Sequence, residues 1–127
     1  MPEKENSEQL HINFEKLEDL ILLVKLEGKI IDQTTSNELT NAIVSELSPD
    51  RNLLILDLSE VDYLNSSGLN SLIGILTKTR TQGGEMVVFG INEKVKKLLV
   101  ITKLSSVITT TETLEEAKNQ FKQIKQN

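Results

Sequence analysis

The chain has no cysteine and a single histidine, His11. The first absence rules out disulfide frameworks, thiolate metal sites and cysteine nucleophiles. The second leaves His11 as the only imidazole base for any triad chemistry. A basic excess is also missing: 14 Lys and Arg stand against 19 Asp and Glu, for a net charge of −5. That balance argues against a nucleic-acid surface, which carries a basic stripe or patch. No apolar run approaches the roughly 20 residues a membrane-spanning helix needs. The N-terminus, "MPEKENSEQLHINFEK", has no hydrophobic stretch of the kind found in a signal peptide. A cytoplasmic protein without membrane insertion or direct nucleic-acid contact is expected. Within 127 residues, 38% are hydrophobic and 26% charged, which fits one globular domain with one core. Residues 1–9 are polar and expected to be flexible, leaving 10–127 as the domain.

The hydrophobic pattern changes period along the chain. "HINFEKL" and "LILLVKL", separated by Glu18 and Asp19, read as a hairpin of two strands, with Gly28 breaking the pattern. "DQTTSNELTNAIVSEL" places Leu39, Ala42, Ile43 and Leu47 at helical spacing, with Thr34, Thr35 or Ser36 as N-cap. "NLLILDL" is apolar on consecutive positions, as in a strand covered on both faces. That strand is expected to end at Leu58, with a loop over Val61 to Leu64 and a helix from about Ser67. The helix carries Leu69, Leu72, Ile73 and Leu76 on one face and stops at Gly83-Gly84. "EMVVFG" is a further strand, "NEKVKKLLVI" a short helix capped by Asn92, and "SVITTT" a β-branched strand. "TLEEAKNQFKQIKQ" closes the chain with Leu114, Ala117, Phe121 and Ile124 on one stripe. The order β-β-α-β-α-β-α-β-α predicts an α/β fold: a mixed sheet of about five strands, an initial hairpin followed by βαβ crossovers, and about four helices packed against it.

Few residues offer chemistry. Ser66 precedes Ser67 and Gly68, but the residues before it are Leu64 and Asn65 rather than the small residues of a nucleophile elbow. Its only histidine partner would be His11, and a triad needs that base within hydrogen-bond reach. No carboxylates stand at a metal-ligand spacing, so no metal is expected. Asp57, Glu60 and Asp62 read as a solvated strand-to-helix loop. "QGGE" lacks the spaced glycines and lysine of a phosphate loop, and helix termination accounts for it.

Two readings of "NSSG" then stand. Asn65 or Ser66 is the natural N-cap of the following helix, accepting from a backbone N–H that has no helical partner. The same geometry makes a phosphate on Ser66 compatible with the fold, because a helix N-terminus presents free N–H groups and a positive partial charge.

"LLILDLSEVDYLNSSGLNSL" resembles the central motif of the STAS domains, the family of the bacterial anti-sigma factor antagonists. "TQGGEMVVFGINEKVKKLLVITKL" is similar to that family's next helix end, strand and short helix, and "GKIIDQTTSNEL" to its early loop and first helix. Together the blocks cover roughly residues 10 to 120. The resemblance implies a STAS-like fold and a non-enzymatic switch by partner exchange. The antagonist would bind an anti-sigma factor that is also a serine kinase, releasing a sigma factor for transcription. The kinase would phosphorylate Ser66 and a phosphatase would reset it. The partner-binding positions carried over are Asp32, Thr34, Asn65, Ser66, Ser67 and Gly68, and the ATP belongs to the kinase, so no cofactor is implied. The chain departs from the family pattern in two places: Asn65 replaces the usual aspartate, and Asp32 lies one position further from Gly28. The alternative within the same resemblance is a scaffold that never carries phosphate, part of a signalling or membrane-transport-associated assembly, whose serines only cap the helix.

Overall fold

The computed structural model of the protein describes residues 10–17 and 20–125. The flexible segment expected over 1–9 and the turn expected at Glu18-Asp19 lie outside the described residues. The described elements are β1 (His11–Lys16), β2 (Ile21–Ile30), α1 (Gln33–Val44), β3 (Leu53–Leu64), α2 (Ser66–Thr81), β4 (Glu85–Phe89), α3 (Glu93–Ile101), β5 (Thr109–Thr111) and α4 (Leu114–Lys125), with a 3₁₀ turn at Leu104–Ser106. The strands form a five-stranded sheet in the order β1-β2-β3-β4-β5. β1 and β2 are antiparallel and the remaining pairs parallel, so the predicted hairpin followed by βαβ crossovers is the architecture found.

The consecutive apolar residues of β2 and β3 divide by strand period between two cores. Leu22, Val24, Leu54 and Leu56 join Leu39 and Ile43 of α1, Leu72 and Ile75 of α2, and Val95 and Leu99 of α3. Ile21, Leu53 and Ile55 join Ala117 and Phe121 of α4. The sheet therefore carries α1, α2 and α3 on one face and α4 on the other, which is why β2 is apolar on consecutive positions from Ile21 to Val24 and β3 from Leu53 to Leu56. The side chain of Ile124, expected on the α4 stripe, lies outside the described residues.

Several local expectations are corrected. β3 does not stop at Leu58 but runs to Leu64, its last residues paired with β2 through Glu27–Glu60, Gly28–Val61 and Lys29–Tyr63. Asp57, Glu60 and Asp62 thus belong to a strand rather than a loop. Asp57 is buried and accepts hydrogen bonds from the Ser59 amide at 2.9 Å and the Ser59 hydroxyl at 2.6 Å. Gly28 does not end β2; it holds φ at +124° beside a register shift, where a residue with a Cβ would be strained. The β-branched "SVITTT" is a strand only over Thr109–Thr111. Leu47 is buried although it follows the end of α1 at Val44. Among the described residues, no helix is long and apolar enough to cross a membrane.

Candidate functional site

The long β3 delivers the chain to the start of α2 at the carboxyl end of the parallel strands. Asn65 is the N-cap: its backbone is extended, and its Oδ1 accepts from the Ser67 amide at 2.9 Å and the Gly68 amide at 3.4 Å. The helix accordingly begins at Ser66 rather than Ser67. Of the two candidate caps, the asparagine does the capping. The Ser66 side chain is exposed, and among the described residues no hydrogen bond engages its hydroxyl.

Asn65 also reaches across to the neighbouring loop. Its Nδ2 donates to the Ile31 carbonyl at 3.0 Å, and its backbone N–H to the Ile30 carbonyl at 3.2 Å. Ile31 directly precedes Asp32, which caps α1 by accepting from the Thr35 amide at 2.7 Å. The cap of α1 is therefore Asp32, not Thr34, Thr35 or Ser36. Ser36 is unavailable because it is buried between the helices, its hydroxyl donating to the Ser67 carbonyl at 3.0 Å and touching the Ser71 hydroxyl. Ser71 in turn donates to the Ser67 carbonyl at 3.2 Å. These serines join the first turn of α2 to α1 by hydrogen bonds in an otherwise apolar contact.

The starts of α1 and α2 lie side by side for a steric reason as well. Gly68 is buried against Leu64 and Ile30, leaving no space for a side chain. Thus Asn65, Ser66, Ser67, Asp32 and Thr34 share one end of the molecule, with Gly68 beneath them as the point of close approach. Asp32 and Thr34 also line an open groove of about 530 Å³ together with Leu10, Ile12, Thr35 and Glu38. Asn92 braces the other side: it caps α3 through the Val95 amide at 2.9 Å, and its Nδ2 donates to the Asp62 carbonyl at 3.1 Å.

Sequence reasoning missed the apolar part of this end. Ile31, whose carbonyl Asn65 holds, is 43% exposed, and Tyr63, three residues before Ser66 in β3, is 45% exposed. Ile30 and Ile31 are adjacent, and alternation along a strand sends one inward and the other out. That was the available signal. The structure does not bring His11 to Ser66. His11 sits in β1, in register with Glu27 of β2, two strands from β3 and therefore roughly 10 Å across the sheet.

Comparison with known proteins bears on the family and the fold. The model of the STAS domain family matches residues 11–117. An anti-sigma-B factor antagonist of Listeria monocytogenes is 32% identical over 78 residues, covering 61% of this chain and 68% of its own length. The crystal structure of an anti-sigma factor antagonist from Mycobacterium paratuberculosis superposes with a TM-score of 0.77 at 24% identity, covering 89% of this chain and 94% of that one. The Bacillus cell fate determinant SpoIIAA in its phosphorylated form shares the fold with a TM-score of 0.65 at 14% identity, covering 87% of this chain and 99% of that one. With the sheet order, the helix layers and the serine-bearing helix start already in place, the chain belongs to the STAS domain family.

Proposed function

We propose that the protein is an anti-sigma factor antagonist that binds an anti-sigma factor with serine kinase activity and is switched off by phosphorylation of Ser66. The observation that carries this reading is the division of labour at the start of α2. Asn65 satisfies the first helical amides, so the exposed Ser66 hydroxyl is not needed for the fold and is accessible to a kinase. The Listeria relative is named an anti-sigma-B factor antagonist, and a family member of the same fold, SpoIIAA, exists in a phosphorylated form. Both support the reading.

The unmodified end offers a partner two exposed apolar side chains, Ile31, whose carbonyl Asn65 holds, and Tyr63, three residues before the uncharged Ser66. A phosphate on Ser66 adds about −1.5 to −2 charges there. The helix N-terminus tolerates that charge, so the domain stays folded. A partner surface closing over Ile31 and Tyr63 would have to desolvate the phosphate, and each ~1.4 kcal/mol of that cost lowers affinity about tenfold. Binding is thus lost without unfolding, and the freed anti-sigma factor recaptures its sigma factor. A phosphatase acting on phosphorylated Ser66 restores the binding form.

Incubation with the organism's anti-sigma factor kinase and ATP tests the modification. The expected result is a mass gain of one phosphate that Ser66→Ala abolishes. No gain, or a gain that survives in Ser66→Ala, would rule out the assigned acceptor and favour a scaffold that does not cycle through phosphate.

A further inference from the structure

We propose that Asn65 is a positioning residue of the docking end, whose uncharged amide ties the loop between β2 and α1 to the first turn of α2. The amide does two jobs at once. Its oxygen accepts from the Ser67 and Gly68 amides, and its nitrogen donates to the Ile31 carbonyl at 3.0 Å. An aspartate caps a helix equally well, yet an ionised carboxylate has no proton to donate. Placed here it would set an anionic oxygen against the Ile31 carbonyl. The capping function alone gives no preference for asparagine over aspartate; the bond to Ile31 does.

What the tie holds is the residue a partner would touch. Ile31 is exposed, and the next residue, Asp32, begins α1 through its bond to Thr35. One side chain therefore stands between the starts of both helices and fixes Ile31 beside Ser66. The backbone bond from Asn65 to Ile30 remains when the side chain is changed, so loss of the tie loosens the loop and leaves β2 and β3 paired. The effect on affinity rests on the docking reading above; the effect on the loop does not.

The test compares the full-length protein with Asn65→Asp and Asn65→Ser. Both variants keep a good cap and lose the amide nitrogen that donates to the Ile31 carbonyl, and only the first adds charge. Backbone amide resonances of Ser67 and Gly68 report the cap, and those of Ile31 and Asp32 report the tie. Both variants are expected to keep the α2 amides protected, to shift Ile31 and Asp32, and to exchange amide hydrogens faster in the β2–α1 loop. Affinity for the anti-sigma factor kinase is expected to fall about fivefold in both, the scale of one lost hydrogen bond. A loop unchanged in both variants would overturn the proposal. So would an affinity loss confined to Asn65→Asp, which would be an effect of charge. If the unaltered protein does not bind the kinase, the docking reading fails, and the Ile31 and Asp32 resonances still decide the tie.

Discussion

A Cβ placed on Gly68 would lie 2.9 Å from the Ile30 carbonyl oxygen and 3.2 Å from the Ile30 Cβ. It would also come within 2.5 Å of the Leu64 Cβ, so neither neighbour can simply rotate away. In an ordinary helix interior, alanine is favoured over glycine by about 1 kcal/mol. Here the overlap opposes that gain, and forcing a methylene into a packed core costs about 1–3 kcal/mol. Gly68→Ala is expected to lower the urea midpoint at an unchanged denaturant slope. A midpoint equal to or above that of the parent would contradict the close packing of α2 on the end of β2.

The Ser36 and Ser71 hydroxyls are coupled through the Ser67 carbonyl. In either single alanine variant the remaining hydroxyl keeps that acceptor, so each change is expected to cost only about 0.5–1.5 kcal/mol. The double variant removes both hydroxyl links between α1 and α2, from Ser36 to the Ser67 carbonyl and from Ser71 to the Ser36 carbonyl. A double-mutant cycle by chemical denaturation should therefore show non-additivity of at least about 0.5 kcal/mol. Strict additivity would mean that the pair does not act as a unit.

Capping and modification are assigned to adjacent residues, and stability measurements separate them. Asn65→Ala is expected to cost about 1 kcal/mol or more, the typical value of an N-cap. Ser66→Ala should remain within about 0.5 kcal/mol of the parent, as for an exposed side chain without a partner. The reverse ranking in thermal or chemical unfolding would make Ser66 the cap and remove the reason for regarding its hydroxyl as free.

Phe121 is 2% exposed and packs with Ile21, Leu53, Ile55 and Val87 on the face of the sheet opposite α1 and α2. Truncation to alanine there is expected to destabilise by about 3–5 kcal/mol. Where the variant is still folded, its affinity for the anti-sigma factor should match that of the parent, because the docking end draws on the other face. Parallel loss of stability and affinity would show that the α4 face takes part in binding.

Much of this was legible from local pattern. The helices were visible because Leu39 and Ile43, Leu72 and Leu76, and Val95 and Leu99 recur at helical spacing on buried faces, and Asn92 was readable as a cap because it immediately precedes such a run. The end of β3 was hidden. Glu60 and Asp62 carry the chemistry of a loop, and distant pairing of Glu60, Val61 and Tyr63 with the bulged end of β2 keeps that segment in a strand, while Asp57 also pairs with Phe89 of β4. The cap of α1 was misplaced for a related reason: Ser36 is an excellent cap by type, but contact with Ser67 and Ser71 turns it inward. At the candidate site, Ser66 and Asn65 were evident from residue type and order. The exposed apolar pair, Ile31 and Tyr63, was not, because exposure depends on where β2 and β3 stop.

The most direct test of the central claim is the affinity of the anti-sigma factor kinase for two forms of this protein, one unmodified and one carrying phosphoserine incorporated at position 66. Incorporation makes the measurement independent of how well the kinase acts on its substrate. The account predicts tight binding of the unmodified form and a loss of at least about tenfold, equivalent to ~1.4 kcal/mol, for the phosphorylated form, with both fully folded. Equal affinities for the two folded forms would contradict it.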